Sequence, residues 1–285
     1  MNPLPFQNAQ AEFYVPDGLP PDQALARTTH LAVGAHQDDL EIMAIDGILA
    51  CFQRADRWFS GVVVTDGAGS PRSGLYADTS DEAMVTLRAQ EQKKAAVVGE
   101  YGSLALLGYP SRVVKDPGDA RLFQDLSLLL QAARPSTVYT HNLADKHPTH
   151  VAVALRTIAA LRSLPADRRP RRLYGCEVWR SLDWMLDQDR TVFDCSEREG
   201  LQFALLGAFD SQNTGGKRYD LATMARRRAH ATYDESHAVD VKTGAVYAMD
   251  LTPLIEDPRR EIGAFVAEFL ERFSADVQAK LIQAQ

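Results

Sequence analysis

Residues 31–41 read Leu-Ala-Val-Gly-Ala-His-Gln-Asp-Asp-Leu-Glu, a short apolar run that ends in an imidazole and carboxylates. The apolar run 31–35 has the length of a buried strand, and apolar residues then recur at helical spacing over residues 40–56. The same alternation continues along the chain, with strands predicted at 61–65, 103–107, 136–140 and 172–178 and helices at 82–99, 119–133 and 149–163. Short, uniformly apolar strands that alternate with helices predict an α/β fold, a Rossmann-like three-layer sandwich with a mostly parallel sheet.

The regions on either side of this alternation have different patterns. Residues 1–29 are rich in proline, and we interpret them as an N-terminal arm with one short helix after Pro21. Residues 30–285 are predicted to form a single domain, with a core at about 31–180 and a C-terminal elaboration at about 181–285. Helices are predicted there at 197–209, 217–230 and 259–273, and no motif assigns a role to this region.

Composition excludes several classes of protein. The chain has 285 residues, and 31 Lys+Arg against 38 Asp+Glu give a net charge of −7, which argues against a nucleic acid or an anionic membrane as the main partner. No apolar stretch approaches the ~20 residues of a membrane span, and the first residues lack the features of a signal peptide. Three separated cysteines, at 51, 176 and 195, fit a reducing compartment. We therefore expect a cytoplasmic protein with a small-molecule partner, and leave open whether it forms a homo-oligomer.

The turn after the first strand carries His36, Asp38 and Asp39. Ligands of doubly wound sheets bind at the carboxyl ends of the strands. A dinucleotide-binding turn would have small residues here, and the negative charge of this turn would repel a phosphate. His36 and Asp39, three residues apart, could instead bind a metal such as zinc, with Asp38 beside it. The alternative is that the two aspartates only cap the following helix.

A second polar cluster follows the strand predicted at 136–140. It contains His141, Asp145, His147 and His150. Pro148 suits the first turn of a helix, which would place His147 just before that helix and His150 inside its first turn. Two such clusters at strand ends favour a shared metal site over structural histidines. Asp145 is either a partner that orients one of these imidazoles or a solvated loop residue.

Together, the two motifs resemble those of a known family. Residues 35–41 (AHQDDLE) and 147–150 (HPTH) are similar to the AHPDD-x-E and HxxH hallmarks of the LmbE-like (PIG-L) zinc-dependent N-deacetylases, which have a Rossmann-like fold. The segments 64–67 (VTDG) and 88–91 (RAQE) also match, so the resemblance covers roughly residues 31–163.

The resemblance implies a role for each matching position. It implies that His36, Asp39 and His150 bind one Zn²⁺ per chain. It further implies that Asp38 is the general base and that His147 faces the substrate carbonyl oxygen. Arg88 matches an arginine that helps to bind the sugar, and His237 is a candidate for the late histidine that a neighbouring subunit supplies in some members.

Three positions depart from the family pattern. Gln37 replaces the usual proline, residues 43–46 replace a glycine-rich stretch, and Ser111 stands where many members have an aspartate. These differences concern the shape of the pocket and the identity of the substrate more than the reaction.

The expected function is zinc-dependent hydrolysis of an N-acetyl amide on an N-acetylglucosamine-type amino sugar or its conjugate, which releases acetate and a free amine. In the expected mechanism, Asp38 accepts a proton from the attacking water and a protonated His147 stabilises the oxyanion. Two alternatives stay open: an amidase that removes a larger acyl group from an amino-sugar conjugate, and a non-catalytic Rossmann-like ligand-binding protein.

Three further features are interpreted from the sequence without a motif. The two tryptophans at 179 and 184 are expected in the core, and Arg226–Arg228 on a solvated helix face. The glycine-bearing segment 67–74 is either a substrate loop or an ordinary surface loop.

Overall fold

The computed structural model describes residues 4–285, which build one eight-stranded sheet. Its strand order is β1-β4-β3-β2-β5-β6-β8-β7. Strands β2 to β6 run parallel to their neighbours, whereas β1 and β8 pair antiparallel with the edges of this parallel core and β7 pairs antiparallel with β8. The strands are β1 Glu12–Tyr14, β2 His30–Gly34, β3 Phe59–Thr65, β4 Ser103–Tyr109, β5 Thr137–His141, β6 Arg172–Cys176, β7 Arg190–Asp194 and β8 Ala245–Asp250.

Helices cover both faces of the sheet. Neighbouring residues of β2 show this, because Leu31 and Val33 pack into one apolar core and Ala32 into another on the opposite face. The predicted three-layer α/β sandwich is therefore confirmed. The helices are α1 Pro21–Ala26, α2 Asp39–Met43, α3 Ile45–Cys51, α4 Asp81–Val98, α5 Ser111–Lys115, α6 Arg121–Ala133, α7 Pro148–Ser163, α8 Glu199–Gly207, α9 Asp210–Asn213, α10 Tyr219–Tyr233, α11 Thr252–Glu256 and α12 Ile262–Gln283.

The strand order places the two polar motifs side by side. Strands β3 and β4 lie on one side of β2, whereas β5 and β6 lie on the other, so the chain reverses its direction of winding between β2 and β5. Ligands of open α/β sheets bind at the carboxyl ends of the strands at such a reversal. The turn after β2 carries His36, and β5 ends at His141. The two turns therefore meet at one edge of the sheet.

Local signals explain how α7 and α4 begin. Pro148 is the first residue of α7, where its missing N–H costs no helical hydrogen bond. Ser80 precedes α4, and its side chain accepts a hydrogen bond from the backbone N–H of Ala83. These two starts place His150 and Arg88, respectively, at fixed positions relative to the sheet edge.

Several elements differ from the sequence-based expectation, most of them in the C-terminal region. The helix predicted over 40–56 is two helices, because the chain leaves helical geometry at Ala44. Strands β7 and β8 were not predicted, and they extend the sheet with C-terminal residues. The helix predicted at 259–273 continues to Gln283.

The N-terminal arm packs on the chain itself. As expected, a short helix, α1, begins at Pro21. Strand β1 pairs with β4, and Leu4 and Phe6 contact the apolar core. Within residues 4–285, no helix is long and apolar enough to cross a membrane.

Candidate metal centre and active-site cavity

Three predicted metal ligands converge at the edge where β2 and β5 meet. His36 Nδ1 lies 3.1 Å from His150 Nε2 and 3.3 Å from Asp39 Oδ2. The third distance, between His150 Nε2 and Asp39 Oδ2, is 3.4 Å. Two segments separated by 114 residues along the chain therefore present one oxygen and two nitrogens to the same point.

These distances suit a tetrahedral metal ion. Zinc bonds of about 2.0–2.1 Å place neighbouring ligand atoms about 3.3 Å apart in a tetrahedron, and the three measured separations are 3.1, 3.3 and 3.4 Å. Burial lowers the pKa of His150 to about 4, so its imidazole is neutral at pH 7 and has a lone pair to offer. The donor set and its spacing therefore fit a zinc ion.

Asp39 is held as a carboxylate by its surroundings. Burial alone would raise its pKa, but the adjacent His150 and His141 outweigh burial and hold the pKa of Asp39 well below its usual range. Asp39 Oδ2 also accepts a hydrogen bond of 2.7 Å from the backbone N–H of His36. This bond fixes the turn between the two ligands.

His141 contacts two of the predicted ligands, Asp39 and His150, and the backbone of the turn after β2. Its Nε2 accepts a hydrogen bond of 2.8 Å from the backbone N–H of Ala35 and lies 3.4 Å from Asp39 Oδ2. Its ring stacks on that of His150 with centroids 3.8 Å apart. Because the N–H of Ala35 uses the Nε2 lone pair, His141 orients the turn and the His150 ring. The resemblance assigned no role to this residue.

Asp145 stands behind His150. Its Oδ2 lies 3.6 Å from His150 Nδ1, the nitrogen on the far side of the ring from the other ligands. Burial opposes ionisation of Asp145, but His150 overcomes this effect and lowers the pKa of Asp145. Oδ1 and Oδ2 of Asp145 also accept the backbone N–H groups of His147 and Trp179, at 2.8 and 3.0 Å. Of the two readings of this residue, the geometry favours the partner that orients a ligand imidazole.

Asp38 is buried beside the ligands with an unusual backbone conformation. It precedes α2 with φ of 90°, a left-handed value that is uncommon for residues with a side chain. Its N–H donates to Gln92 Oε1 at 3.2 Å, and its Oδ2 accepts from Arg88 at 3.2 Å. Burial raises the pKa of Asp38 to about 7, although Arg88 opposes this shift. A carboxyl group with such a pKa can exchange a proton near neutral pH.

Arg88 lies in the wall of the site and is largely occupied by protein acceptors. Besides Asp38, it donates to the backbone carbonyl of Gln37 and, at 2.8 Å, to Ser70 Oγ. The Gln37 side chain in turn donates to the carbonyl of Thr65 at 3.2 Å. Gln37, in place of the usual proline, thus ties the first motif to the turn after β3.

His147 faces the cavity next to the three ligands. It offers a ring nitrogen within 4.8 Å of those of His36 and His150, and its ring is half-buried. Burial and the neighbouring His36 lower the pKa of His147, which favours the neutral imidazole over the protonated form that the expected mechanism uses. A neutral imidazole still has one N–H to donate.

A cavity of about 490 Å³ opens above these residues. It takes its lining from both halves of the chain. Residues 31–163, which contain both motifs and are called the motif half below, provide among others His36, Asp38, Asp39, Thr65, Arg88, Ser111 and His147. They also provide Gly67, Gly69, Ser70 and Pro71 of the glycine-bearing segment. That segment is therefore part of the cavity wall. The remainder of the lining includes Val178, Trp179, Gln212, Lys217 and Tyr219.

The part of the cavity wall that comes from residues after β6 was not predicted from the sequence. Trp179 is half-buried: it packs against one apolar core, as expected, and it also lines the cavity, which was not predicted. It follows β6, the last parallel strand, and its position at a strand end was the signal that pointed to the site. Lys217 precedes α10 and Tyr219 is its first residue; the sequence around them indicates only a basic start of a helix and assigns neither residue to a site.

Arg227 corrects a second expectation, that Arg226–Arg228 form a solvated helix face. Its side chain is buried, and it donates at 2.7 and 3.3 Å to the carbonyls of Glu41 and Ile42 in α2. Gln202 Oε1 accepts a third bond at 2.8 Å. The C-terminal helix α10 therefore holds the helix that carries Asp39.

His237 does not reach this cavity in its own chain. It is exposed in the segment between α10 and β8, and its N–H donates to Glu235 Oε1 at 3.2 Å. A contribution from His237 to the site of a neighbouring subunit stays a prediction.

Comparison with known proteins agrees with the motifs. Residues 31–161 match the model of the PIG-L family, whose description is GlcNAc-PI de-N-acetylase. This match confirms, for that part of the chain, the resemblance predicted from the two motifs. A search among curated proteins found no match.

Solved structures with the same fold come from several organisms. The conserved protein TT1542 from Thermus thermophilus is 19% identical, with a TM-score of 0.59 over 82% of this chain and 99% of its own. N,N'-diacetylchitobiose deacetylase from Pyrococcus horikoshii is 13% identical, with a TM-score of 0.62 over 83% and 88%. GalB from Pseudomonas putida, a 4-carboxy-2-hydroxymuconate hydratase, is 16% identical, with a TM-score of 0.60 over 79% and 96%. At these identities the likeness establishes the fold, and a deacetylase and a hydratase both have it.

Proposed function

We propose that this protein is a zinc-dependent hydrolase that removes the acetyl group from an N-acetylglucosamine-type amino sugar or its conjugate. The observation that carries the proposal is the convergence of His36, Asp39 and His150 within 3.4 Å, with the carboxyl group of Asp38 beside them. The match of residues 31–161 to a family model described as a de-N-acetylase supports the choice of an amide as the scissile bond.

A zinc ion on these three residues would supply Lewis acidity, which activates water and polarises an amide carbonyl. The chain's own groups perform the proton transfers. Asp38 Oδ accepts the proton of the attacking water, and the Arg88 guanidinium keeps that carboxyl group in place. The N–H of His147 donates to the carbonyl oxygen as negative charge develops on it. The proton then has to reach the leaving amine, and both Asp38 and His147 face the cavity.

The cavity has the size and lining for a sugar derivative. Its volume of about 490 Å³ lies within the range of about 300–1,000 Å³ of small-molecule sites. Trp179 and Tyr219 provide aromatic surface, whereas Thr65, Ser70 and Gln212 provide polar groups. This mixture suits a ring with hydroxyl groups on its edges and apolar C–H groups on its faces.

An amine-release assay tests the proposal. Zinc-loaded protein is incubated with a panel of N-acetylated amino sugars and with matched sugars that carry longer N-acyl groups. We expect free amine and acetate from at least one N-acetyl sugar, with loss of activity after chelation and recovery on addition of zinc. The zinc content should follow the activity at roughly one ion per chain.

The same assay separates the alternatives. Amine release only from the longer acyl groups would identify an amidase for larger conjugates. Sugar binding by zinc-loaded protein without any turnover would identify a ligand-binding protein. Either result would overturn the proposed deacetylation.

A further inference from the structure

A second concavity lies at the edge of the sheet opposite the active-site cavity. It has a volume of about 350 Å³, and we call it the arginine cleft after four of its lining residues. The lining consists of Arg134, Pro135, Ser136, Asp167, Arg168, Arg169 and Arg171. These residues come just before β5 and β6 in the sequence, whereas the active-site cavity lies at the carboxyl ends of the parallel strands. A five-residue strand such as β5 spans about 16 Å, so the cleft and the active-site cavity are separate.

The fold brings these arginines together from two segments of the chain. Arg134 follows α6, whereas Arg168 ends the 3-10 turn Ala166–Arg168 that follows α7. Strands β5 and β6 are parallel neighbours, so the segments that lead into them lie at the same edge of the sheet. The backbone N–H of Arg171 donates to the carbonyl of Ser136 at 2.8 Å and joins the two segments. The backbone positions of the arginines are therefore fixed by the sheet.

Three of the four arginines have no protein partner for their side chains. Arg134, Arg168 and Arg171 are exposed. Within residues 4–285 their guanidinium groups make no hydrogen bond, no ion pair with a carboxylate and no contact with an aromatic ring. Arg228, by contrast, is also exposed but pairs with Glu199. The free N–H donors of three guanidinium groups therefore border one concavity.

The fourth arginine is held in place by backbone carbonyls. Arg169 is half-buried, and its guanidinium donates to the carbonyls of Leu164 and Ile255 at 3.0 and 2.8 Å. A third hydrogen bond, of 3.1 Å, goes to the carbonyl of Arg162. Carbonyls do not neutralise the charge of Arg169, and no carboxylate within residues 4–285 pairs with it. Asp167 is the one carboxylate that these residues contribute to the lining, so the four arginines leave the cleft with a formal charge of +3.

We infer that the arginine cleft binds the phosphate group of a soluble small molecule, at a site separate from the proposed catalytic cavity. Arginine matches the oxygens of phosphate and carboxylate groups with paired N–H donors. A phosphate monoester has three acceptor oxygens and can therefore accept from several guanidinium groups at once. A carboxylate has two oxygens and is satisfied by the paired donors of one arginine. Several guanidinium groups around one concavity therefore favour a phosphate.

The shape of the cleft favours a small molecule over a larger polyanion. Its volume of about 350 Å³ lies within the range of about 300–1,000 Å³ of small-molecule sites. A nucleic acid or an anionic membrane is instead bound through positive charge spread over an extended surface, and the net charge of −7 opposes such a partner. We therefore expect the ligand to be a soluble compound with a phosphate group.

Isothermal titration calorimetry tests the cleft with inorganic phosphate, inorganic pyrophosphate and acetate as probes. We expect phosphate or pyrophosphate to bind at least ~10-fold more tightly than acetate, because each has more oxygens for the guanidinium groups. R134Q/R171Q removes two of the unpaired charges and should weaken that binding by ~10-fold or more. The matched control is R112Q, which removes an exposed arginine outside both sites and should leave the binding unchanged. Absence of binding, unchanged binding in R134Q/R171Q or equal weakening in R112Q would overturn the inference.

Two further measurements locate the phosphate. H150A removes a predicted metal ligand, and phosphate binding that persists in H150A would support a site away from the catalytic cavity. Binding that is lost in H150A but kept in R134Q/R171Q would place the anion at the metal and overturn the inference. Sedimentation with vesicles of phosphatidylcholine and phosphatidylglycerol tests the membrane alternative. Vesicle binding that is lost in R134Q/R171Q, without any binding of soluble phosphate, would identify a membrane contact and overturn the small-molecule site.

Discussion

The two halves of the active-site cavity were built in different ways. The motif half, residues 31–163, provides His36 from a turn and Asp39 and His150 from the first turns of α2 and α7, and each motif is readable as a local pattern. The half that follows β6 provides Trp179, Lys217 and Tyr219 from segments without a recognisable motif. The comparison teaches that the candidate ligand set lies in segments with recognisable motifs, whereas part of the cavity wall comes from segments without one.

The second half also supports the first. Arg227 reaches from α10 to the carbonyls of Glu41 and Ile42, so the helix that begins with Asp39 is held by a residue 186 positions away from Glu41. Its guanidinium is buried and has no carboxylate partner among residues 4–285. The pKa of Arg227 falls to about 10 through this burial, so the side chain is still charged at pH 7.

Replacement of a predicted metal ligand should have the largest effect on activity, because the proposed reaction needs the metal that the motif half would bind. In H150A we expect the zinc content of loaded protein to fall to near zero and amine release to be lost. Metal analysis by mass spectrometry measures the zinc content. H237A removes an exposed histidine outside the cavity and should retain the metal. Full zinc content in H150A would mean that the two motifs do not share an ion.

The next largest effect on activity is expected from replacement of Asp38. This replacement tests the proposed proton transfer and leaves the predicted metal ligands in place. D38N has nearly the same shape and keeps an oxygen for Arg88, but it accepts no proton. We expect kcat to fall by about 10²–10⁴-fold, with zinc content and circular dichroism unchanged. Normal turnover in D38N would show that another group is the base.

The smallest effect is expected at Arg227, which tests the link between the halves. R227M leaves two buried carbonyls without this donor, and we expect the free energy of unfolding to fall by about 3 kcal/mol. Zinc affinity should fall by about tenfold or more, because the turn before α2 is less well positioned. Urea denaturation and a competitive chelator measure the two quantities, and R227K should recover part of each.

Arg228 provides the control for this experiment. It is the next residue on the same helix, is largely exposed and contacts only the exposed Glu199 among carboxylates. R228M should change the free energy of unfolding by less than about 1 kcal/mol. If R227M and R228M proved equally stable and bound zinc equally well, the C-terminal half would not hold α2.

Prediction from the sequence succeeded for features that depend on residues close together along the chain. Apolar runs fixed the five parallel strands, and Pro148 marked the start of α7 together with the position of His150. Prediction failed where a distant partner decides. The helix break at Ala44 lies next to Glu41 and Ile42, whose carbonyls accept hydrogen bonds from Arg227. No pattern in the sequence around residue 44 predicts that contact. Strands β7 and β8 likewise form only because β6 offers an edge to pair with.

The amino-acid sequence by itself determined the α/β alternation, the two histidine- and aspartate-containing motifs and the resemblance to the PIG-L family, because each depends on residues that are close along the chain. Only the tertiary structure decided that His141 contacts Asp39, that Asp145 contacts His150, that Trp179 and Lys217 line the cavity, and that Arg227 is buried. These roles depend on burial and on contacts between segments more than 100 residues apart for several pairs, such as Ala35 with His141 and Glu41 with Arg227. Such contacts follow from the order of strands in the sheet, and a linear pattern does not contain that order.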